Sequence, residues 1–439
     1  MRLLVLGSGG REHAVLWSLN HTSEATHDLY CAPGNAGIAE IATCKPISLT
    51  NHSTLIEMVK AEAIDLTIVG PEAALADGIV DEFERNRLAI VGPSKAASRL
   101  ESSKAFAKDF MSRHKIPTAD YRVVRSVAEA EVILRSGTFG AADSRTVVKA
   151  DGLAAGKGVI VANSRAEAEE SARMLMSGEL VGTAAARQVV IEEALWGREA
   201  SLLLFADGRD YALMPPARDH KRVGENDTGP NTGGMGAVTG ASILKAETLQ
   251  RVVREIVEPT LAGARSEGFP FRGVLFLGLM LTADGPKLLE YNVRMGDPET
   301  QAILVRLKTS LVSIFEAIRT GRLRDLNVEW TDDYSACVVL VSQGYPAQCK
   351  TDIPIEGLDS VAFPEDATVF HAGTKRSKAG ELVTAGGRVL GVTARGETLE
   401  KALGRCYNAV AQIKWEGMQY RRDIGRFREP QSKQEAERV

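Results

Sequence analysis

Runs of mostly apolar residues recur at 3–6, 29–32, 64–69 and 88–91, and glycine or proline follows each of them. Short apolar runs closed by turn residues read as strands buried on both faces, as in a parallel sheet. A helical pattern from about residue 11 to residue 19 separates the first two. An open α/β sheet over residues 1–93 is therefore expected, with ligands beyond the carboxyl ends of its strands. Ala97, Leu100, Phe106 and Phe110 stand at helical spacing and predict one helix over 94–113, stopped at Ile116-Pro117.

The alternation resumes at a strand over 121–124 and a helix over 127–134. An apolar run ending in Lys149, a β-branched run at 159–161, a helix over 165–176 and a strand over 188–192 complete a second α/β unit. Apolar runs at 200–205 and 211–214 turn at Asp207-Gly208, and residues 217–236 are aperiodic with five glycines. A loop of that length inside a compact domain reads as functional. An amphipathic helix is expected over 246–264, then a hairpin of 273–281 and 287–291. Asp297 is expected to cap the next helix, with Pro298 at its first position. Beyond Arg322, strands at 334–341, 369–372, 382–384 and 388–393 and a helix over 398–413 read as a separate small α+β unit. The polar stretch that follows reads as a frayed tail. The expected division is 1–103, 104–325 with a small lid at about 121–193, 326–428, and a flexible tail at 429–439.

Composition narrows the class. Of 439 residues 44% are hydrophobic and 25% charged, as in ordinary globular proteins. A net charge of −4 gives no reason to expect nucleic acid or an anionic membrane as partner. Five cysteines without a C-x-x-C fit a reducing compartment rather than a disulfide framework. No apolar run approaches a signal or membrane-spanning segment, so a cytoplasmic location is expected.

Chemistry concentrates in a few stretches. Residues 146–162, TVVKADGLAAGKGVIVA, place Lys149, Gly152, Gly156, Lys157 and Gly158 between two β-type runs. Glycines let backbone N–H groups approach an anion and lysine adds charge, so phosphate contact is expected. The spacing is one residue short of a P-loop and leads into a strand, which predicts a hairpin flap over a nucleotide. The turn at Gly7-Ser8-Gly9-Gly10-Arg11-Glu12 has Glu12 where a dinucleotide fingerprint needs its third glycine. A helix N-terminus beside Arg11 suits a phosphate monoester equally well. Glu192, Glu193 and Glu199 cluster at a strand end and hairpin start, where carboxylates can accept hydrogen bonds from adenine or ribose. Arg218, Asp219, His220, Lys221 and Arg222 give the aperiodic loop a functional composition. Strand alternation puts Glu290, Asn292 and Arg294 on one face, and a carboxylate beside an amide oxygen suits Mg²⁺.

Longer strings carry a resemblance. VLGSGGREHA, APGN, VGPEA, SKAFAKDFM, VVKADGLAAGKGV, DHKRVG, DTGPNTGGMGA, LEYNVRMGDPETQ and RVLGVTA run nearly end to end. With them the chain resembles the glycinamide ribonucleotide synthetase family of the ATP-grasp superfamily. Met295 replaces the phenylalanine of the usual R-F-G-D-P-E-x-Q, and Ser102 stands where glycine more often precedes Ser-Lys. The resemblance implies a multidomain α/β and α+β protein: an N-terminal open parallel α/β sheet, a central two-part ATP-grasp unit and a small C-terminal α+β domain. The implied reaction joins glycine to 5-phosphoribosylamine through glycyl phosphate, with ATP, in purine biosynthesis.

By that resemblance Lys104 and Lys149 hold ATP phosphates while Gly152, Gly156, Lys157 and Gly158 close over them. Glu192, Glu193 and the backbone of Leu195 read adenine, and Glu199 the ribose. Glu290 and Asn292 bind Mg²⁺ or Mn²⁺, although the preceding strand, 277–281, lacks the further acid that many relatives carry there. Arg294 holds the glycine carboxylate or acyl phosphate, with Asp219 and Lys221 beside it. Phosphoribosylamine lies at Gly9, Gly10, Arg11, Glu12, Pro33, Gly34, Asn35, Pro71 and Glu72, with Gly296 and Asp297 on the facing turn. The other expectations are a monomer or weak dimer and no nucleic-acid or membrane partner. The competing readings are another ATP-grasp carboxylate–amine ligase and a nucleotide-binding module without catalysis.

Overall fold

The structure is a computed structural model that describes residues 1–154, 158–182, 185–358 and 367–427. Gly156, Lys157 and the expected tail lie outside the described residues.

Five parallel strands form the N-terminal sheet in the order Thr43–Cys44, Asp28–Pro33, Arg2–Gly7, Leu66–Val69, Ile90–Val91. Arg2–Gly7 is central, and its residues 3–7 are fully buried, which is why its sequence lacks polar alternation. Thr43–Cys44 was not expected; two residues are too few to carry a period.

The expected helix over 94–113 is two helices, Lys95–Ser102 and Lys104–Arg113. Ser103 is extended (φ −139°, ψ 111°), and its hydroxyl accepts the Phe106 N–H at 3.1 Å. Asp151 accepts the Ala105 N–H at 3.0 Å, so the second helix has its own N-terminal capping. The break leaves Lys104 at the first position of a helix aimed at the glycine loop.

Tyr121–Val124, Val189–Glu193, Thr146–Ala150 and Val159–Ala162 pair antiparallel in that order, covered by helices Val127–Arg135 and Arg165–Ser177. A larger sheet lies opposite this lid. Its order is Gly285–Asn292, Arg272–Thr282, Arg198–Asp207, Ala217–Asp219, Gly236–Thr239, Tyr334–Val341, Arg388–Gly396, Ala367–His371. The stretch expected as one loop, 217–236, thus contains strands Ala217–Asp219, Arg222–Gly224 and Thr228–Asn231. Gly236–Thr239 pairs with Tyr334–Val341, Ala237 opposite Cys337, so the C-terminal strands continue the central sheet.

The helix after the Met295-Gly296 turn is Glu299–Leu304 with Pro298 as its cap. Asp297 lies one position outside the cap, because its carboxylate is taken by Gln301 Nε2 at 2.7 Å and Arg388 Nη2 at 3.0 Å. The helix expected over 246–264 runs on to Ser266, with a wider turn at Val253–Val257. One apolar core joins Leu4 and Leu6 to Leu100, Leu275 and Leu288, fixing the N-terminal sheet against the central one. No helix among the described residues is long and apolar enough to cross a membrane.

Candidate active site

A cleft of about 560 Å³ opens where lid, central sheet and N-terminal loops meet. Lys104 and Lys108, four apart on one helix, share a face toward it. Lys104 Nζ donates to Gly152 O at 3.0 Å, and burial lowers its pKa. Lys108 Nζ pairs with Glu192 Oε2 at 2.9 Å and donates to Thr118 Oγ1 at 2.7 Å. Lys149 Nζ holds the other Glu192 oxygen at 2.9 Å. Glu192 is thus buried between two ammonium groups, one of them, Lys108, absent from the sequence expectations. The signal for Lys108 was its i+4 spacing from Lys104.

On the central sheet, Glu290, Asn292 and Arg294 face the cleft together, as alternation requires. Burial opposes the Glu290 charge, yet Lys221, Lys149, Lys104 and Arg294 hold its carboxyl below the usual range. Among the described residues Glu290 has no ion pair, so its oxygens remain available to a hard cation. No group of three or more His, Cys, Asp or Glu side chains suited to a metal occurs among the described residues. Glu290 supplies a carboxylate and Asn292 an amide oxygen, the latter accepting from Arg294 Nη2 at 3.2 Å, and these are hard oxygen donors of the kind Mg²⁺ takes in small number beside phosphate oxygens and water.

Arg294 Nε donates to Glu72 Oε2 at 3.2 Å, Nη1 to Met295 O at 3.1 Å and Nη2 to Asn292 Oδ1 at 3.2 Å, and Nη2 also stands in an ion pair 3.0 Å from Glu101 Oε1. Burial works against this charge, but Glu101 and Glu72 overcome it and push the pKa up. Beyond it, Asp219 is buried 3.9 Å from Lys221, whose ammonium pairs with Glu199 at 3.0 Å. Burial and then the Asp219 charge push the Glu299 carboxyl up to about 7. Arg388 enters from the C-terminal strands, donating to Gly233 O at 2.5 Å and Asp297 O at 2.6 Å. Glu101, Glu299 and Arg388 were not expected from the sequence. Only contacts made by folding bring them here.

The remaining expected residues scatter. Arg11, Pro71, Glu72 and Asp297 line the cleft, and so do Gly152 and Gly158. Gly9, Gly10, Glu12, Leu195 and Gly296 lie outside its wall. The Glu12 carboxylate accepts the Gly9 N–H and Arg11 Nε, each at 2.6 Å, and so caps its own helix. Pro33, Gly34 and Asn35 also lie outside the wall, and Asn35 Nδ2 donates to Ser8 O and His371 O at 2.8 Å. Glu193 and Glu199 stand outside too; Glu193 accepts from Asp120 N and Lys287 Nζ. None of the described lining residues is Cys, His or Ser. Its lysine, arginine and carboxylate side chains suit the charge neutralisation and positioning that phosphoryl and acyl transfer between anions require.

A lid sheet closing on a larger sheet over a lysine-lined cleft defines an ATP-grasp protein. The biotin carboxylase domain of Hydrogenobacter thermophilus 2-oxoglutarate carboxylase, solved with MgADP, shares this fold: TM-score 0.71 at 16% identity, covering 95% of this chain and 91% of that one. The family models for the phosphoribosylglycinamide synthetase N domain, ATP-grasp (A) domain and C domain match residues 1–101, 102–300 and 335–427, and the chain belongs to that family. It is 44% identical to the phosphoribosylamine–glycine ligase of Caldanaerobacter subterraneus over 97% of this chain and 99% of the relative. Identity to the Xanthomonas axonopodis enzyme of that name is 47%, over 97% of each. The crystal structure of phosphoribosylamine–glycine ligase from Thermotoga maritima superposes with a TM-score of 0.82 at 35% identity, covering 96% of this chain and 100% of that one.

Proposed function

We propose that the chain is an ATP-dependent ligase that joins glycine to 5-phosphoribosylamine, giving glycinamide ribonucleotide, ADP and phosphate for purine biosynthesis. The full-length kinship with phosphoribosylamine–glycine ligases supports it. The observation that carries the chemistry is Arg294, Glu290 and Lys149 converging on one cleft.

A glycine carboxylate oxygen attacks the γ-phosphorus of ATP, and the bond to the ADP oxygen breaks. The phosphoribosylamine nitrogen then attacks the acyl carbon, a C–N bond forms, phosphate leaves, and the amine releases a proton. We assign Lys104, Lys149 and the loop of Gly152, Gly156, Lys157 and Gly158 to the nucleotide phosphates. Glu192, Glu193, Leu195 and Glu199 are assigned to adenosine. Arg294, flanked by Asp219 and Lys221, holds the glycine carboxylate and the acyl phosphate formed from it. Gly9 to Glu12, Pro33 to Asn35, Pro71, Glu72, Gly296 and Asp297 are assigned to phosphoribosylamine. A divalent cation, Mg²⁺ or Mn²⁺, would sit at Glu290 and Asn292 and neutralise phosphate charge there. Five free cysteines suit the cytoplasm, where we place the reaction.

The test is ADP release measured with each substrate omitted in turn. Release that needs both glycine and phosphoribosylamine is expected. Equal turnover without glycine would reject this ligase in favour of a related one, and ATP binding without turnover would leave only a nucleotide-binding module.

A further inference from the structure

Glu101 has no part in the reaction as assigned, yet it makes two of the strongest contacts around Arg294. It lies in the last turn of Lys95–Ser102 and is almost wholly buried. Its Oε2 accepts the Val293 N–H at 2.7 Å, and its Oε1 pairs with Arg294 Nη2 at 3.0 Å. One carboxylate thus grips the backbone of one residue and the side chain of the next. Three residues on, Lys104 begins the helix that reaches Gly152.

Glu72 grips the same guanidinium from the other direction, but differently. Its side chain is 32% exposed against 7% for Glu101, and it lines the open cleft. It also has an alternative partner in Arg11 Nη1, 3.8 Å from the same oxygen. A guanidinium has five N–H donors. Among the described residues Glu72, Asn292 and Met295 O take three of them, and Glu101 Oε1 stands in an ion pair with Nη2 at 3.0 Å. Two carboxylates against one arginine outweigh its charge and repel a third anion, so docking of a substrate anion is eased when one of them withdraws. The more exposed one, with a second arginine within reach, is Glu72.

We propose that Glu101 is a positioning residue: it fixes the Arg294 guanidinium while an incoming carboxylate or acyl phosphate displaces Glu72 toward Arg11. The proposal rests on the assignment of Arg294 to the acyl group. Orientation of a group that touches the reacting atoms affects turnover more than nucleotide binding.

Glu101→Gln tests it, because the amide oxygen can still accept the Val293 N–H while the charge on Arg294 is lost. Glu101→Asp keeps the charge on a shorter reach and serves if the glutamine variant does not fold. The expected result for Glu101→Gln is a fall in kcat of about tenfold to a hundredfold with the KM for ATP within about twofold. In an Arg294→Ala background the same change should have no further effect on kcat, since Glu101 acts only through Arg294. Phenylglyoxal modification of Arg294, followed by peptide mass spectrometry without substrates, should quicken about threefold or more in Glu101→Gln as the guanidinium is freed. A kcat within twofold of wild type, an equal loss in both backgrounds, or an unchanged modification rate would each overturn the proposal. If the wild-type chain shows no glycine-dependent ADP release, the ligase reading fails, and the modification rates still decide whether Glu101 fixes Arg294.

Discussion

Replacing Lys108 by methionine removes one buried ammonium while keeping most of the side-chain volume. Lys108 is 2% exposed, and burial lowers its pKa from 10.5 to about 8, with Glu192 resisting and Lys149 adding to the fall. Below pH 8 folded and unfolded chains both hold the proton, so the site's contribution to stability does not vary with pH. Between pH 8 and 10.5 the unfolded chain keeps a proton that the folded chain has released, so this contribution grows as pH rises. A gap of about 2.5 pK units at 1.36 kcal/mol each sets a ceiling of about 3 kcal/mol, of which about 1–1.5 is present by pH 9 and about 2.5 by pH 10. Buried thiols such as Cys337, and Tyr291, titrate in the opposite sense, but they do so in both proteins and cancel in the difference. Wild type should therefore gain on Lys108→Met by about 2–3 kcal/mol in unfolding free energy between pH 7 and 10. Denaturant unfolding monitored at each pH reads the difference. Lysine labelled with ¹³C at Cε gives the titration directly, the resonance missing in the variant identifying Lys108. A flat difference from pH 7 to 10, or a midpoint at or above 10 for that resonance, would refute the claim that burial outweighs Glu192 here.

Arg294→Ala should lower kcat/KM by about 2–4 kcal/mol, the range for removing a preorganised charge donor; near wild-type kinetics would take Arg294 out of the site. Glu290→Gln should raise the Mg²⁺ concentration for half-maximal ADP release by about tenfold or more, because a carboxylate ligand becomes a neutral one. An unchanged metal dependence would move the cation elsewhere. Amide exchange in the loop between Lys149 and Val159 should slow when ATP is added, as expected of a flap, and identical exchange with and without nucleotide would count against one.

The parallel strands were legible because burial on both faces leaves an unbroken apolar run, as in Arg2–Gly7. The placement of Glu290, Asn292 and Arg294 on one face was legible because a strand's period is two. What escaped was whatever depends on a partner distant in sequence. The apolar stripe across 97–110 hides the break at Ser103, since Asp151 caps the second helix from 46 residues beyond Ala105. Gly236–Thr239 is too short to announce itself and exists as a strand through Tyr334–Val341. Glu101 shows no motif, because its meaning lies in a backbone N–H 192 residues away. Arg388 likewise acts on Asp297 across 91 residues. The resemblance named the reaction but could not say that Glu192 sits between Lys108 and Lys149.

That last arrangement repeats across the cleft. Glu192 occupies Lys149, Glu72 occupies Arg294, and Asp151 occupies the N-terminus of the helix that begins at Lys104. Each is an internal carboxylate placed where the proposed reaction brings phosphate or carboxylate. An uncompensated buried cation is strongly destabilising, so a site built to gather several anions needs others in their absence. Asp151 shows how this is tied to the fold: it takes the Ala105 N–H, the Ser103 hydroxyl and Gln188 Nε2, while Lys104 returns to Gly152 O on the same loop. A phosphate arriving at that helix N-terminus competes with Asp151 for the same donors. Under the proposed assignment, ligand binding in this cleft is an exchange of anions, and its net affinity is the difference between two well-paired states. Removing an internal carboxylate should then trade stability of the free protein for tighter anion binding, a coupling that rests on the pairing of Glu72, Asp151 and Glu192 together with the proposed assignment.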